Sequence, residues 1–182
     1  VVDATVSEAG GEAAIAIALS QASDQAITVD YVTTDVTASG GADYTTSTAT
    51  MTFVPGATEQ TIFVDILEDT VNEDDETFTL TLSNAAGEGV TLALDTATVT
   101  IADDDDVTVD LADLSITETD DGDDQAVAIP LTLSGESGQT ITVDVETYAI
   151  TATDGSDFDV IAGTYTFYPD GTTAFEDAAT SG

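Results

Sequence analysis

Apolar and polar positions alternate along most of this chain. Ile15-Ala-Ile17-Ala-Leu19, Ile27-Thr-Val29-Asp-Tyr31, Met51-Thr-Phe53, Phe78-Thr-Leu80-Thr-Leu82 and Ala97-Thr-Val99-Thr-Ile101 each space bulky apolar side chains two apart. A period of two puts those side chains on one face of a pleated strand. Thr recurs on the other face, where its β-branched, uncharged side chain suits a wet sheet surface. Gly10-Gly11, Gly40-Gly41 and Pro55-Gly56 separate the alternating segments as turn signals. No segment carries a helical period. Short strands at regular spacing predict an all-β fold of immunoglobulin-like antiparallel sandwiches. Tyr31, Phe53, Phe63 and Phe78 fall inside the strand patterns and are expected in the core.

The pattern also repeats. Val6-Ser-Glu8 returns as Ile116-Thr-Glu118, and Ile27-Thr-Val29-Asp-Tyr31 as Ile141-Thr-Val143-Asp-Val145. Thr37-Ala38 with Asp43-Tyr44 returns as Thr151-Ala152 with Asp157-Phe158, and Met51-Thr-Phe53-Val-Pro55 as Tyr165-Thr-Phe167-Tyr-Pro169. The offset, roughly 110 to 114 residues, is the size of one sandwich domain. Two sandwiches in tandem are therefore expected, over residues 1–106 and 107–182. The second copy lacks counterparts of Phe78–Leu82 and Ala97–Ile101. An incomplete sandwich exposes a sheet edge. The second copy is thus expected either to continue in a longer protein or to be completed by a strand from a neighbouring copy, as in a head-to-tail filament. Val1–Val6 is a candidate donor segment.

Charge sharpens this picture. The 182 residues include 37 Asp and Glu and no Lys, Arg or His, for a formal charge of −37. At 42% hydrophobic the chain can still bury a core. Nucleic acid and anionic lipid are excluded as direct electrostatic partners. No apolar run approaches the roughly 18 residues of a spanning helix, so no membrane insertion is expected. Histidine bases, lysine or cysteine nucleophiles and arginine clamps are all absent. Paired carboxylates alone are a weak sign of a glycosidase, and no enzyme activity is expected.

The acids of the first copy gather at strand ends: Glu8, Asp43, the run Glu68 to Glu76, and Asp103-Asp104-Asp105-Asp106. Alternate loops of an up-and-down sandwich meet at one pole. Carboxylates crowded there repel one another and raise each other's pKa values. A hard cation with many oxygen ligands relieves the repulsion, and Ca²⁺ tolerates irregular loop sites better than Mg²⁺. Without His or Cys, zinc and copper sites are not expected.

The chain here resembles the Calx-β domain family. The resemblance is carried by Val6-Ser-Glu8, Gly41-Ala-Asp43-Tyr44, Thr52-Phe53-Val-Pro55-Gly56, Glu73-Asp-Asp-Glu76-Thr-Phe78, Leu82-Ser83-Asn84 and Val99-Thr-Ile101-Ala-Asp103-Asp104-Asp105. It implies a seven-stranded immunoglobulin-like sandwich with calcium ions at one pole. It further implies metal ligands at Glu8, Asp43, Glu68, Asp69, Glu73, Glu76, Asp103, Asp104 and Asp105, with the Val71 carbonyl as another. In the second copy only Glu118 and Asp157 match the motif. The acids Asp120, Asp121, Asp123 and Asp124 read as a hydrated turn. The expected function is an extracellular, cell-surface structural or adhesive module in which calcium stiffens the loops and the short junction at residues 103–106. Its expected partners are calcium and neighbouring copies or domains. The alternatives are a regulatory calcium sensor within a larger membrane protein, and a carbohydrate-binding module.

Overall fold

The structure is a computed structural model, and it describes residues 1–117, 125–155 and 157–177. Glu118, Asp120, Asp121, Asp123 and Asp124 lie outside the described residues. Backbone contacts divide the chain into two units, Val1–Asp69 with Asp74–Asp104, and Thr70–Glu73 with Asp105–Gly182.

The strands in the first copy's sequence are β1 (Ala4–Ser7), β2 (Glu12–Ala18), β3 (Ile27–Asp35), β4 (Thr48–Phe53), β5 (Glu59–Asp65), β6 (Val71–Asn72), β7 (Glu76–Ala86) and β8 (Thr96–Ala102). A single 3₁₀ turn, Glu8–Gly10, follows β1. In the first unit, β1-β8-β7-β3-β4 form one sheet and β2-β5 another. The alternation explains the core directly. Ile15 and Ile17 from β2, Ile62 and Val64 from β5, Phe78, Leu80 and Leu82 from β7, and Val99 and Ile101 from β8 are all buried. Their Thr neighbours face outward. Tyr44 is fully buried and stacks on Phe78, with ring centroids 4.1 Å apart and planes 9° from parallel.

Two features depart from the sequence expectation. Phe63 is 59% exposed rather than in the core. Ile62 and Val64 take the inner face of β5, and the strand period forces Phe63 outward. Tyr31, Phe53 and Phe78 do pack in or against the core. The second departure is β1, which runs parallel to β8, with Ser7 opposite Ala102. The remaining pairings of this unit are antiparallel.

The second unit contains β6 together with β9 (Val109–Leu111), β10 (Leu131–Leu133), β11 (Glu136–Ser137), β12 (Ile141–Glu146), β13 (Ala162–Phe167) and β14 (Thr173–Asp177). β12-β13-β14 form an antiparallel sheet, β9 pairs with β10, and β6 lies parallel to β11. β12 and β13 reproduce the β3–β4 register position for position: Ile141 faces Phe167 as Ile27 faces Phe53, and Asp144 faces Thr164 as Asp30 faces Thr50. β14 differs from its first-copy counterpart. β5 leaves the sheet of β4 and pairs with β2 in the other sheet, whereas β14 folds back on β13. The intervening turn is locally closed: the Thr172 N–H and hydroxyl both donate to Asp170 Oδ1, at 2.9 and 2.6 Å. Phe167, 8% exposed, is the one buried large apolar side chain among this unit's described residues.

Candidate metal centre

Strand register delivers the acids. Parallel pairing sets Ser7 beside Ala102, so Glu8 and Asp103 leave β1 and β8 at the same end of the sheet. Antiparallel pairing sets Glu76, the first residue of β7, opposite Ile101 at that same end. Asp43 is brought in by a tight turn. Its carboxylate accepts the Ser39 N–H at 2.6 Å, its carbonyl accepts the Leu67 N–H at 2.9 Å, and Gly41 supplies the positive φ of 93° that the turn requires.

Two groups of carboxylates result. Within the first unit, Glu8 and Asp103 bring carboxylate oxygens within 4.8 Å of one another, and so do Asp43 and Glu76. Glu8 is only 8% exposed, and the other three are half-buried. Two negative charges at such range, one of the four largely desolvated, are unfavourable unless protonated or neutralised by a cation. No side chain of this protein can supply that cation. An all-oxygen, all-anionic donor set suits a hard divalent ion of the calcium type.

The other proposed ligands sit differently. Asp104 is in neither group: its Oδ1 accepts the Ser7 hydroxyl at 3.0 Å and the Ala9 N–H at 3.1 Å, tying the 3₁₀ turn to the end of β8. Glu68 and Asp69 are exposed and join neither group. Val71 lies in β6, where it pairs with Glu136. Three participants escaped the sequence reading. Asp75 accepts the Asp103 N–H at 3.2 Å, the Asn72 amide donates to the Asp105 carbonyl at 2.6 Å, and Ser7 holds Asp104. The acid-rich run contains Asp75 and Asn72, but nothing in their spacing separates them from their neighbours.

Beneath Asp43, the Tyr44 hydroxyl donates to Asp35 Oδ1 at 2.6 Å, and the Gly40 N–H donates to the same oxygen at 2.9 Å. Burial, reinforced by the Asp35 carboxylate, pushes the Tyr44 hydroxyl up to about 12. The turn recurs in the second unit. Asp157 accepts the Thr153 N–H at 2.7 Å, and Gly155 takes a φ of 71°. Among the described residues Asp157 joins no carboxylate group.

A tandem of β-sandwich sequence, with acids collected where β1, β7 and β8 begin or end, defines an acidic-pole β-sandwich class. The Calx-beta domain profile matches residues 2–105 and again 106–176, and the chain belongs to the Calx-beta domain family. Over 56 residues it is 45% identical to sodium/calcium exchanger 1 of Canis lupus familiaris, covering 31% of this chain and 6% of that protein. Over 66 residues it is 41% identical to the sodium/calcium exchanger Calx of Drosophila melanogaster, covering 36% of this chain and 7% of that protein. The chain thus spans well under a tenth of the length of these curated relatives. Among solved structures, CBD12 from CALX1.2 matches with 30% identity and a TM-score of 0.54, over 96% of this chain and 71% of that one. The apo-form Calx CBD1 domain matches with 35% identity and a TM-score of 0.53, over 57% of this chain and 91% of that one. The calcium binding domain CBD12 of CALX1.1 matches at 28% identity and a TM-score of 0.54, over 97% of this chain and 71% of that one.

Proposed function

We propose that this chain is a calcium-responsive binding module, not an enzyme, that acts as a regulatory calcium sensor within a larger protein. The observation carrying the reading is the buried Glu8 carboxylate set beside Asp103 in a chain without a single cationic side chain. Asp43 and Glu76 form the companion site. Calcium entering these groups cancels the mutual repulsion of their carboxylates. It thereby orders the loops that carry them and stiffens the acidic stretch at residues 103–106. An ion that binds the folded state alone stabilises it by mass action. The similarity to sodium/calcium exchangers and to a solved calcium binding domain supports the sensor reading.

Affinity is the measurement that tests it. A sensor fills between roughly 0.1 and 10 μM calcium, whereas an extracellular structural or adhesive module works with sites near 0.1 to 1 mM. Titration calorimetry of the full chain at fixed ionic strength, with Mg²⁺ as competitor, separates the two. Micromolar filling that is lost on Glu8→Gln and Asp43→Asn supports the sensor. Millimolar filling favours the extracellular role, which otherwise rests on composition. Absence of calcium binding refutes both.

A further inference from the structure

The wet face of the β12–β13 hairpin departs from its first-copy counterpart next to a feature the two share. Asp144 faces Thr164 as Asp30 faces Thr50, and in each pair the Thr hydroxyl donates to the Asp Oδ1, at 2.8 and 2.5 Å. That pair is common scaffold. Beyond it β3 carries Val32 and Thr34, whereas the second copy carries Glu146 at the end of β12 and Tyr148 just after it. The residue opposite is Thr48 in the first copy and the smaller Ala162 in the second.

These changes open a solvent-facing hollow of about 530 Å³, with Asp144, Glu146, Tyr148, Ala162 and Thr164 in its walls. Tyr148 is 73% exposed, yet it is held in place. Its hydroxyl donates to Glu146 Oε2 at 2.7 Å, and the adjoining Thr147 N–H donates to the Ile161 carbonyl at 2.9 Å, which carries the hairpin pairing up to its neighbour. Asp144 Oδ2 and Glu146 Oε1 accept no hydrogen bond among the described residues. Two carboxylate oxygens therefore stand open beside a tethered aromatic ring. The Tyr44–Asp35 bond of the first unit is no parallel, because the Tyr44 ring is closed inside the core.

We propose that this hollow takes the guanidinium of an arginine side chain on the surface of a partner protein. A planar cation is the complement of the arrangement: it stacks on the Tyr148 ring while its N–H groups donate to the open oxygens of Asp144 and Glu146. An ammonium carries the same charge but has no plane to stack and no fork of donors. The chain contains no Arg or Lys, so the partner is a different protein and not a second copy of this one.

The test titrates the isotopically labelled 182-residue chain with N-acetyl-arginine amide at constant ionic strength and follows it by NMR. Shift changes should saturate and centre on Glu146, Tyr148 and Ala162–Thr164. N-acetyl-lysine amide should bind severalfold more weakly. Free arginine should also bind more weakly, because its own carboxylate meets an acidic surface, and this separates a partner's side chain from the free amino acid. Tyr148→Leu should weaken the arginine amide about two- to fivefold, the worth of an exposed cation–π contact. The exposure of Tyr148 leaves the sheet intact in that variant, and unchanged shifts in β13 and β14 would show it. Shifts spread evenly over the acidic segments, equal affinity for the arginine and lysine amides, or an unaltered titration in Tyr148→Leu overturns the proposal. So does a neutral methyl glycoside that fills the hollow where the arginine amide does not. Working in chelator keeps the outcome separate from the calcium reading.

Discussion

Tyr44 ties the core of the first unit to the turn that carries Asp43. Its ring stacks on Phe78 inside the sandwich, while its hydroxyl reaches Asp35. The folded state holds the phenolic proton more tightly than the unfolded chain does. That contribution to stability is complete below pH 10 and is lost as pH climbs from 10 toward about 12. Tyr44→Phe keeps the stack and removes the hydroxyl. Denaturant melts should show a loss of about 1–2 kcal/mol near neutral pH. The variant should also show a shallower decline between pH 10 and 11.5 than the parent, which isolates Tyr44 from the other tyrosines. Glu8 presents the opposite balance, a charge buried beside the like charge of Asp103. Glu8→Gln should raise the melting temperature of the calcium-free protein by a few degrees, since roughly 1 kcal/mol of relieved repulsion is worth about 4–8 °C in a domain of this size. It should also reduce the further rise that calcium produces. A lower melting temperature without calcium would show that the Glu8 carboxylate is stabilising in its own right.

At the scale of elements, the alternation was legible wherever a strand has one wet face. Ile15, Ile17, Phe78, Leu80 and Leu82 follow it into the core. It misled at Phe63, because a strand with bulky residues at three successive positions, Ile62, Phe63 and Val64, does not declare which face turns inward. The decision came from β2, whose Ile15 and Ile17 meet the Ile62 side of β5. The parallel direction of β1 was equally illegible, since a four-residue strand reads the same either way. Gly163 shows how tightly the second unit's hairpin is built. A Cβ there would stand 2.2 Å from the Glu176 carbonyl oxygen and 2.8 Å from the Phe175 ring. Gly163→Ala should therefore open the β13–β14 pairing. Hydrogen exchange should speed up across Ala162–Phe167 and Thr173–Asp177 while the first unit's strands keep their protection.

For the whole molecule, the charge of −37 sets the response to ions. Self-repulsion destabilises the compact state, so added NaCl should raise the melting temperature modestly and gradually by screening. Calcium should act on top of that at constant ionic strength. An ion held at a thousandfold excess over its dissociation constant contributes about 4 kcal/mol, or a shift of roughly 10 °C or more. Magnesium, which dehydrates reluctantly and demands regular octahedral geometry, should produce much less. Equal shifts with calcium, magnesium and matched NaCl would reduce the acidic pole to a screened surface.

The sequence by itself determined that the fold is all-β, that its pattern occurs twice, and that any charge balance must come from outside the side chains. Each follows from local facts: a period of two, a repeated spacing, a missing residue class. It also marked the acidic segments as a set. What the tertiary structure decided is which of those acids meet. Glu8 joins Asp103 because β1 runs parallel to β8, and Glu76 begins β7 at the same end of the sheet. Asp104 instead holds the 3₁₀ turn, and Glu68 and Asp69 remain exposed. Carboxylates far apart in sequence become neighbours through strand direction and register. Those properties belong to pairs of strands, and no single segment of the chain encodes them.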